Sequence, residues 1–291
     1  MQNTEHTVKS LLDFVKNSLA PCYPSQEARA LAHLLLESLL NMRPATLYVS
    51  LEQPVDAERA AQVEDAVAQL LAMRPVQYVL GRAEFCGLPM LVNEHTLIPR
   101  PETEELVDWA VKRCAALPAG AALRALDVGT GTGCIAVALA KQLPQAEVHA
   151  WDVSAAALAV ARRNAELNGV QVHFAQVDML AAGDVAPVGG VRLIVSNPPY
   201  VCESEKRQLR DNVLRYEPPV ALFVPDSDPL LFYRALAGLA QRALTGDGEL
   251  FVEVNERFGA ATAALLAQRG FATVELRSDI NGKPRMVRAA R

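Results

Sequence analysis

The alternation of strand and helix patterns from residue 121 to the C-terminus constrains the fold of this chain most strongly. Short apolar runs such as LRALDVG and VRLIVS are separated by longer segments with helical periodicity, such as AAALAVARRNAEL. Strands that alternate with helices form parallel sheets with helices on both faces. Seven such strand patterns follow one another, so the sequence predicts an α/β fold with a doubly wound, mostly parallel, seven-stranded sheet.

Two regions in which the apolar residues are spaced differently precede this pattern. Up to about residue 80, apolar residues recur at helical spacing and prolines fall between the segments, which predicts a small helical bundle. From Val76 to Pro101, short apolar runs are broken by Gly-Leu-Pro and Asn-Glu, as in a β-hairpin connector. We therefore predict a bundle over 1–80, a connector over 81–110 and the α/β domain over 111–291.

Composition and charge exclude several classes of function. The net charge of −5 argues against a protein that binds duplex nucleic acid generally. The basic C-terminal segment KPRMVRAAR is interpreted as solvated surface. The five cysteines form no C-x-x-C pair, so neither a zinc site nor a disulfide framework is predicted. Without a membrane-length apolar run or a signal peptide pattern, we expect a cytoplasmic protein with no membrane association.

A glycine-rich loop joins the first strand of the predicted sheet to the next helix. It reads LDVGTGTG and places Gly129, Gly131 and Gly133 at that junction. Glycines let the backbone approach a ligand closely, and the helix that follows offers free N–H groups. A nicotinamide dinucleotide is the obvious rival ligand, but the loop lacks the G-x-G-x-x-G spacing of its fingerprint.

Three carboxylates follow successive strands of the predicted sheet and favour S-adenosylmethionine as the ligand. Asp127 precedes the loop, where its carboxylate can pair with an ammonium group of the ligand. Asp152 ends the second strand, where it can accept hydrogen bonds from ribose hydroxyls. Asp178 ends the third strand near the expected adenine, with Met179 beside it as an apolar wall. The alternative for each carboxylate alone is a loop residue or helix cap. Together with the glycine loop they predict S-adenosylmethionine as the cofactor, bound by a Rossmann-like sheet of the class I S-adenosylmethionine methyltransferase type. The dispersed cysteines and histidines predict no metal site.

The fourth strand runs directly into Asn197, Pro198, Pro199 and Tyr200. Proline cannot donate to a sheet, so the strand ends there and the loop is stiffened. The side-chain oxygen of Asn197 and the carbonyl oxygen of Pro198 can accept both hydrogens of a planar nitrogen whose lone pair is delocalised. Tyr200 offers a flat face for stacking. The alternative is a rigid turn, but beside the predicted cofactor loop the tetrapeptide indicates an amide clamp that works by positioning.

Four motifs in this order carry a resemblance to a known family: LIPRPETEELV, LDVGTGTG, VSNPPY and EPPVALF. Together with the helical N-terminal region they closely resemble the protein-(glutamine-N5) methyltransferases that modify peptide chain release factors. The loop and Asn-Pro-Pro-Tyr are also found in adenine-N6 DNA and ribosomal RNA guanine-N2 methyltransferases. LIPRPETE discriminates more, because the similar ribosomal-protein glutamine methyltransferases typically have a serine-containing segment after Pro-Arg.

The resemblance implies methylation of the glutamine in the Gly-Gly-Gln loop of class 1 release factors, with S-adenosylmethionine as methyl donor. It implies a release-factor docking role for the bundle. Separately, the acidic net charge leads us to expect no direct nucleic-acid partner, and we expect a monomer. The resemblance places Asn197, Pro198, Pro199 and Tyr200 around the glutamine amide. Arg100 and Glu102 would border the substrate channel, or would instead anchor the hairpin and cap the helix. The residues expected to contact the cofactor are Asp127, Gly129, Thr130, Gly131, Thr132, Gly133, Asp152, Asp178, Met179 and Asn197.

Two departures from the family pattern indicate a divergent branch. The segment Val224–Leu231 lacks the glycine-rich stretch of many members, and Met179 stands where some members have an aromatic residue. The alternatives left open are a ribosomal-protein glutamine methyltransferase, an adenine-N6 or guanine-N2 nucleic-acid methyltransferase, and a non-catalytic S-adenosylmethionine-binding partner of the translation machinery.

Overall fold

The computed structural model of this protein describes residues 6–115, 123–181 and 189–291. They divide into two units, the first ending at Gly81 but including Arg210–Tyr216, and the second containing the rest. Within the described residues, no helix combines the length and apolar character that a membrane span requires. The elements in chain order are β1 (His6–Thr7), α1 (Val8–Leu19), α2 (Ser25–Leu39), α3 (Pro44–Val49), β2 (Pro54–Val55), α4 (Ala57–Leu71), α5 (Val76–Leu80), β3 (Arg82–Phe85), β4 (Leu88–Leu91), α6 (Pro101–Ala115), β5 (Leu123–Val128), α7 (Cys134–Gln142), β6 (Ala146–Asp152), α8 (Ala155–Leu167), β7 (His173–Gln176), β8 (Val191–Ser196), β9 (Val201–Cys202), α9 (Asp211–Tyr216), β10 (Phe223–Val224), α10 (Leu231–Ala243), β11 (Leu244–Glu253), α11 (Gly259–Gln268), β12 (Thr273–Ser278) and β13 (Pro284–Ala290).

The first unit is a helical bundle. Its core is built from apolar side chains that recur at helical spacing on α1, α2 and α4, including the fully buried Leu35 and Val63. Asp56 caps α4, since its side chain accepts a hydrogen bond from the backbone N–H of Arg59 at 2.8 Å. The helices of this unit therefore form where the spacing of the apolar residues predicts them.

The second unit contains the predicted seven-stranded sheet, in the order β12-β13-β11-β8-β5-β6-β7. The five strands from β11 to β7 are parallel, and β13 runs antiparallel to both of its neighbours, β11 and β12. Ala125 and Leu126 are adjacent on β5 but belong to different apolar clusters, one on each face of the sheet. The doubly wound, mostly parallel fold is confirmed.

The chain reverses direction across the sheet at β5. From β5 it continues to β6 and β7 on one side, and it then returns to β8 on the other side of β5. Open α/β sheets bind ligands at such a switch point, outside the carboxyl ends of the strands. A ligand-binding site is therefore expected at the loops that follow β5, β6, β7 and β8.

The predicted hairpin lies at β3 and β4, with its turn one residue earlier than Gly-Leu-Pro suggests. Cys86 and Gly87 form the turn, with φ of 51° and 71°, and positive φ at both positions is typical of a tight two-residue hairpin turn. Pro89 lies within β4, which tolerates proline because a two-stranded sheet has only edge strands. Residues Val76–Leu80, which the sequence placed at the change from the helical to the hairpin pattern, form the short helix α5.

The basic C-terminal segment is not the solvated surface that its charges suggested, and this prediction was wrong. It forms β13, which pairs on both sides with β12 and β11. Arg288 is only 8% exposed and forms an ion pair with Glu249, while the guanidinium of Arg285 donates to Asp279 at 3.2 Å. The acidic partners satisfy charges that would otherwise be costly to bury.

Candidate active site

A cavity lies at the carboxyl ends of the parallel strands, entirely within the second unit. The structure brings most of the predicted site residues into its wall: Arg100, Gly129, Thr130, Gly131, Thr132, Asp152, Asp178, Met179, Asn197 and Pro199. The predicted residues outside the wall are Glu102, Asp127, Gly133, Pro198 and Tyr200.

The glycines of the loop have separate structural tasks. Gly131 has φ of +54°, and a Cβ at this position would meet nothing within 4 Å, so its missing side chain leaves space. At Gly133, with φ of +79°, a Cβ would lie 2.9 Å from the Cβ of Ala161 on α8. Gly133 therefore permits the close approach of α7 and α8, and it stands behind the cavity wall.

Asp152 holds the loop and faces the cavity with the same carboxylate. Its Oδ2 accepts from the backbone N–H of Gly131 at 2.8 Å, and its Oδ1 accepts from that of Ser154 at 2.8 Å. Burial raises the pKa of Asp152, and these N–H groups oppose the rise. Since each carboxylate oxygen has two lone pairs, both can still accept a hydrogen bond from a ligand hydroxyl.

Asp178 and Met179 line the cavity after β7. Asp178 is exposed, and its Oδ1 accepts from the backbone N–H of Leu180 at 2.9 Å. The terminal methyl of Met179 lies 3.5 Å from the position that a Cβ on Gly129 would take. The thioether therefore forms an apolar surface directly beside the glycine loop.

Asp127 lies beneath the loop, fully buried and closed off from the cavity wall. Its Oδ2 accepts from the hydroxyl of Thr130 at 2.5 Å and from the backbone N–H of Ala136 at 3.2 Å. Its Oδ1 has no partner among the described residues. Burial raises the pKa of Asp127 to about 7. In this structure Asp127 supports the loop from below.

Asn197 and Thr103 both lie in the cavity wall, and Thr103 connects Asn197 to the buried Glu253. The Nδ2 of Asn197 donates to Oγ1 of Thr103 at 3.1 Å, and the Thr103 hydroxyl donates to Oε2 of Glu253 at 2.6 Å. The Tyr200 hydroxyl donates to Oε1 of the same carboxylate at 2.9 Å. One buried glutamate thus connects both ends of Asn-Pro-Pro-Tyr to the first turn of α6.

Arg100 lies in the wall on the segment that precedes α6. It forms an ion pair with Glu217, whose other oxygen accepts from the backbone N–H of Ile98 at 3.1 Å. The Glu217 side chain is almost fully buried, which makes it a fixed anchor for this segment. Glu102 is in the first acidic turn of α6, where the helix N-terminus favours a carboxylate.

Sequence reasoning missed three of these residues as site components: Thr103, Glu217 and Glu253. Glu253 ends β11 in the same manner as Asp152 ends β6, so the rule of strand-end carboxylates would have found it. Glu217 begins the quoted motif EPPVALF. Thr103 was hidden among the glutamates of Pro-Glu-Thr-Glu-Glu, where only the contact with Glu253 reveals its role.

The arrangement favours catalysis by positioning. Cys134 is the thiol in the wall, but burial raises its pKa to about 12, so it is protonated and unreactive at neutral pH. The wall combines the Asp152 carboxylate, which can accept from hydroxyls, with an apolar surface at Met179. It also contains the glycines of the loop and the Asn197 amide. This combination suits a nucleoside-bearing ligand beside a planar polar group.

Comparisons with known proteins agree with this geometry. The family described as "Methyltransferase small domain" matches residues 114–216, and the one described as "PrmC N-terminal domain" matches residues 10–81. A "Release factor glutamine methyltransferase" of Flavobacterium psychrophilum is 43% identical over 93% of this chain and 94% of its own length. The protein with the same description in Bacteroides thetaiotaomicron is 41% identical over 96% and 98%.

Two solved structures share the fold at low sequence identity. A methyltransferase from Pyrococcus furiosus has a TM-score of 0.50 and 17% identity, covering 81% of this chain and 98% of its own. The hMettl16 catalytic domain, solved in complex with MAT2A 3'UTR hairpin 1, has a TM-score of 0.54 and 16% identity, covering 81% and 80%. At this identity the similarity shows the fold alone.

Proposed function

Because this chain belongs to the release factor glutamine methyltransferase family, we propose that it methylates the side-chain amide nitrogen (N5) of a glutamine in peptide chain release factors. The target is the glutamine of the Gly-Gly-Gln loop in class 1 factors. Family membership confirms the enzyme class predicted from the sequence, and the methyl donor is S-adenosylmethionine.

The orientation of the Asn197 amide is the observation that carries the proposal. Its nitrogen is engaged by Thr103, and no N–H or O–H group of the described residues donates to its oxygen. That oxygen can accept one hydrogen of the substrate amide. Acceptance of the other hydrogen by the backbone carbonyl of Pro198 stays a prediction, since Pro198 is buried and lies outside the cavity wall. Held in this way, the amide is fixed in one plane, and its lone pair can be aimed at the methyl donor without a strong base.

The residues of the cavity fit S-adenosylmethionine. The Asp152 carboxylate would accept from the ribose hydroxyls, and Met179 would pack against the adenine next to Asp178. The segment 129–132 would approach the ligand with its backbone, and Asn197 would border both cofactor and substrate. When bound, the cofactor would supply a methyl group activated by its sulfonium, and transfer of this group would release S-adenosylhomocysteine and one proton of the amide nitrogen. Direct contact between Asp127 and the ammonium group stays a prediction, because this carboxyl is fully buried.

Other proposed roles follow the channel and the protein substrate. We place Arg100 beside the entering substrate, held by Glu217, with Glu102 near it at the start of α6. Pro199 stiffens the clamp from the cavity wall. A stacking role for Tyr200 stays a prediction, since its ring lies outside the wall and its hydroxyl is bound to Glu253.

The first unit is proposed as the docking surface for the release factor, and the enzyme as a cytoplasmic monomer without a nucleic-acid partner. The docking role is supported by the match of residues 10–81 to the family's N-terminal domain. The cytoplasmic location follows from the proposed substrate, since release factors work in translation.

The experiment is transfer of labelled methyl groups from S-adenosylmethionine to purified release factor. The matched control is a release factor in which the loop glutamine is replaced by glutamate. We expect label in the wild-type factor and none in the control. Label in ribosomal protein, RNA or DNA, with none in release factor, would refute the proposed substrate and revive the alternatives.

A further inference from the structure

Thr103, which lines the cavity beside Asn197, and the buried Glu253 form a hydrogen-bond chain that ends at the Asn197 amide. The direction of this chain can be derived from the chemistry of its members. Thr103 is 2% exposed and Glu253 is 1% exposed, so water does not compete for these groups. The heavy-atom distances are 3.1 Å from Asn197 Nδ2 to Thr103 Oγ1 and 2.6 Å from Thr103 Oγ1 to Glu253 Oε2. Both lie within the normal range for hydrogen bonds.

Burial raises the pKa of Glu253, while the hydrogen bonds from Thr103 and Tyr200 and the charge of Arg285 oppose the rise. With both of its oxygens accepting from hydroxyls, the carboxylate is taken as ionised, and an ionised carboxylate can only accept hydrogen bonds. The single hydroxyl hydrogen of Thr103 is therefore committed to Glu253, and Thr103 Oγ1 can only accept from Asn197. An accepting Oγ1 selects the amide nitrogen of Asn197 and turns the amide oxygen away from Thr103. The Glu253 carboxylate, acting through Thr103, thus leaves the oxygen of the Asn197 amide free and keeps its nitrogen engaged.

We propose that Thr103 and Glu253 are positioning residues that hold the Asn197 amide in the orientation required to accept a hydrogen from the substrate amide. The inference deepens the proposed function and rests on it. Neither residue needs to touch the reacting atoms. With the opposite orientation, Asn197 would present an N–H group to the substrate N–H, and the clamp would repel what it has to bind.

Further hydrogen bonds to Glu253 and Tyr200 hold the backbone on both sides of this chain. The Tyr200 hydroxyl donates to the other oxygen of Glu253 at 2.9 Å, and the Tyr233 hydroxyl donates to the backbone carbonyl of Glu253 at 3.1 Å. The Asn255 side chain donates to the Tyr200 carbonyl at 3.2 Å. The carboxylate is therefore held on two sides, which allows it to impose a direction on Thr103.

Thr103→Val tests the proposal, because valine keeps the shape and removes both the donor and the acceptor. We expect kcat to fall by about 10-fold or more, on the scale of a misplaced polar group at a reacting centre. The Kd for S-adenosylmethionine should change much less. Thr103→Ser keeps the hydroxyl and should restore most of the turnover.

Thr262→Val is the matched control. Thr262 is also fully buried, on α11, but its hydroxyl has no partner among the described residues and it does not line the cavity. This variant should keep wild-type kcat. An unchanged kcat in Thr103→Val would overturn the inference. So would a folded Thr103→Ser as slow as the valine variant, or an equal loss of cofactor affinity, which would show that Thr103 only shapes the pocket.

A readout independent of turnover separates this inference from the proposed function. In protein labelled with ¹⁵N-asparagine, Asn197→Ala identifies the side-chain NH₂ signal of Asn197. Its hydrogen exchange should be slow in wild type and Thr103→Ser, and about 10-fold faster in Thr103→Val. Equal exchange rates overturn the inference, whereas a wild-type enzyme that does not methylate release factor overturns the proposed function.

Discussion

The close contact at Gly133 makes a prediction whose size can be worked out from the structure. Alanine at this position would place its Cβ 2.9 Å from the Cβ of Ala161, with the backbone at φ of +79°. A left-handed conformation costs an L-residue about 1–2 kcal/mol. Overpacking by one methyl group adds about 1–3 kcal/mol. We therefore expect Gly133→Ala to lower the free energy of unfolding by about 2–5 kcal/mol.

Gly169 provides the control that separates strain from contact. It has φ of +63°, but a Cβ there would meet nothing within 4 Å. Gly169→Ala should thus cost only the strain, and the difference between the two variants should be about 1–3 kcal/mol.

Urea unfolding followed by tryptophan fluorescence measures the second unit specifically, since both tryptophans, Trp109 and Trp151, belong to it. Equal destabilisation by the two substitutions would refute the reasoning, because the contact with α8 would then contribute nothing.

Two further predictions concern the cavity, and a third concerns the buried carboxyl beneath the glycine loop. Asn197→Ala should lower kcat about 10²-fold or more, as for other groups that stabilise a reacting centre, with a smaller effect on cofactor Kd measured by calorimetry; equal losses would mean that Asn197 mainly holds the cofactor. Asp152→Ala should raise the S-adenosylmethionine Kd more than it lowers kcat at saturation, and an unchanged Kd would remove the ribose assignment. Asp127, with its pKa raised to about 7, keeps a proton in the folded state that the unfolded chain has already lost. The free energy of unfolding should therefore fall as pH rises from about 4 to about 7, by up to about 4 kcal/mol relative to Asp127→Asn in urea titrations, and a parallel pH dependence in both proteins would contradict this.

The fold was predictable because its signals are local. Strand and helix periodicities, the glycine loop and the carboxylates at strand ends all lie within short windows of sequence. The rule that parallel strands end at one edge then places Asp152, Asp178 and Asn197 together without knowledge of any long-range contact. The structure indeed has all three in the wall of one cavity.

The residues that sequence reasoning missed depend on long-range contacts. Thr103 and Glu253 are separated by 150 residues, and nothing in either local segment indicates the other. Asp127 and Gly133 show a different limit. A position in a cofactor motif does not reveal whether a side chain points to the ligand, to the loop above it or to a neighbouring helix.

The charge of the C-terminal segment misled for a related reason. Several arginines in a short segment suggest a solvated surface when their acidic partners are not known. Here Arg288 pairs with Glu249 on β11, and Arg285 pairs with Asp279 in the turn that precedes β13. The same segment is also the last of the seven strand patterns, and the burial of Met286, Val287 and Ala289 shows that this pattern was the better guide.

Mass spectrometry of the Gly-Gly-Gln peptide tests the central claim most directly. Release factor is incubated with this protein and S-adenosylmethionine, digested and fragmented to locate any added mass. The account predicts one methyl group on the side chain of the loop glutamine, present with wild-type enzyme and strongly reduced with Asn197→Ala. An unmodified glutamine, with cofactor binding demonstrated in the same preparation, would contradict the assignment of Asn197 as part of a glutamine amide clamp.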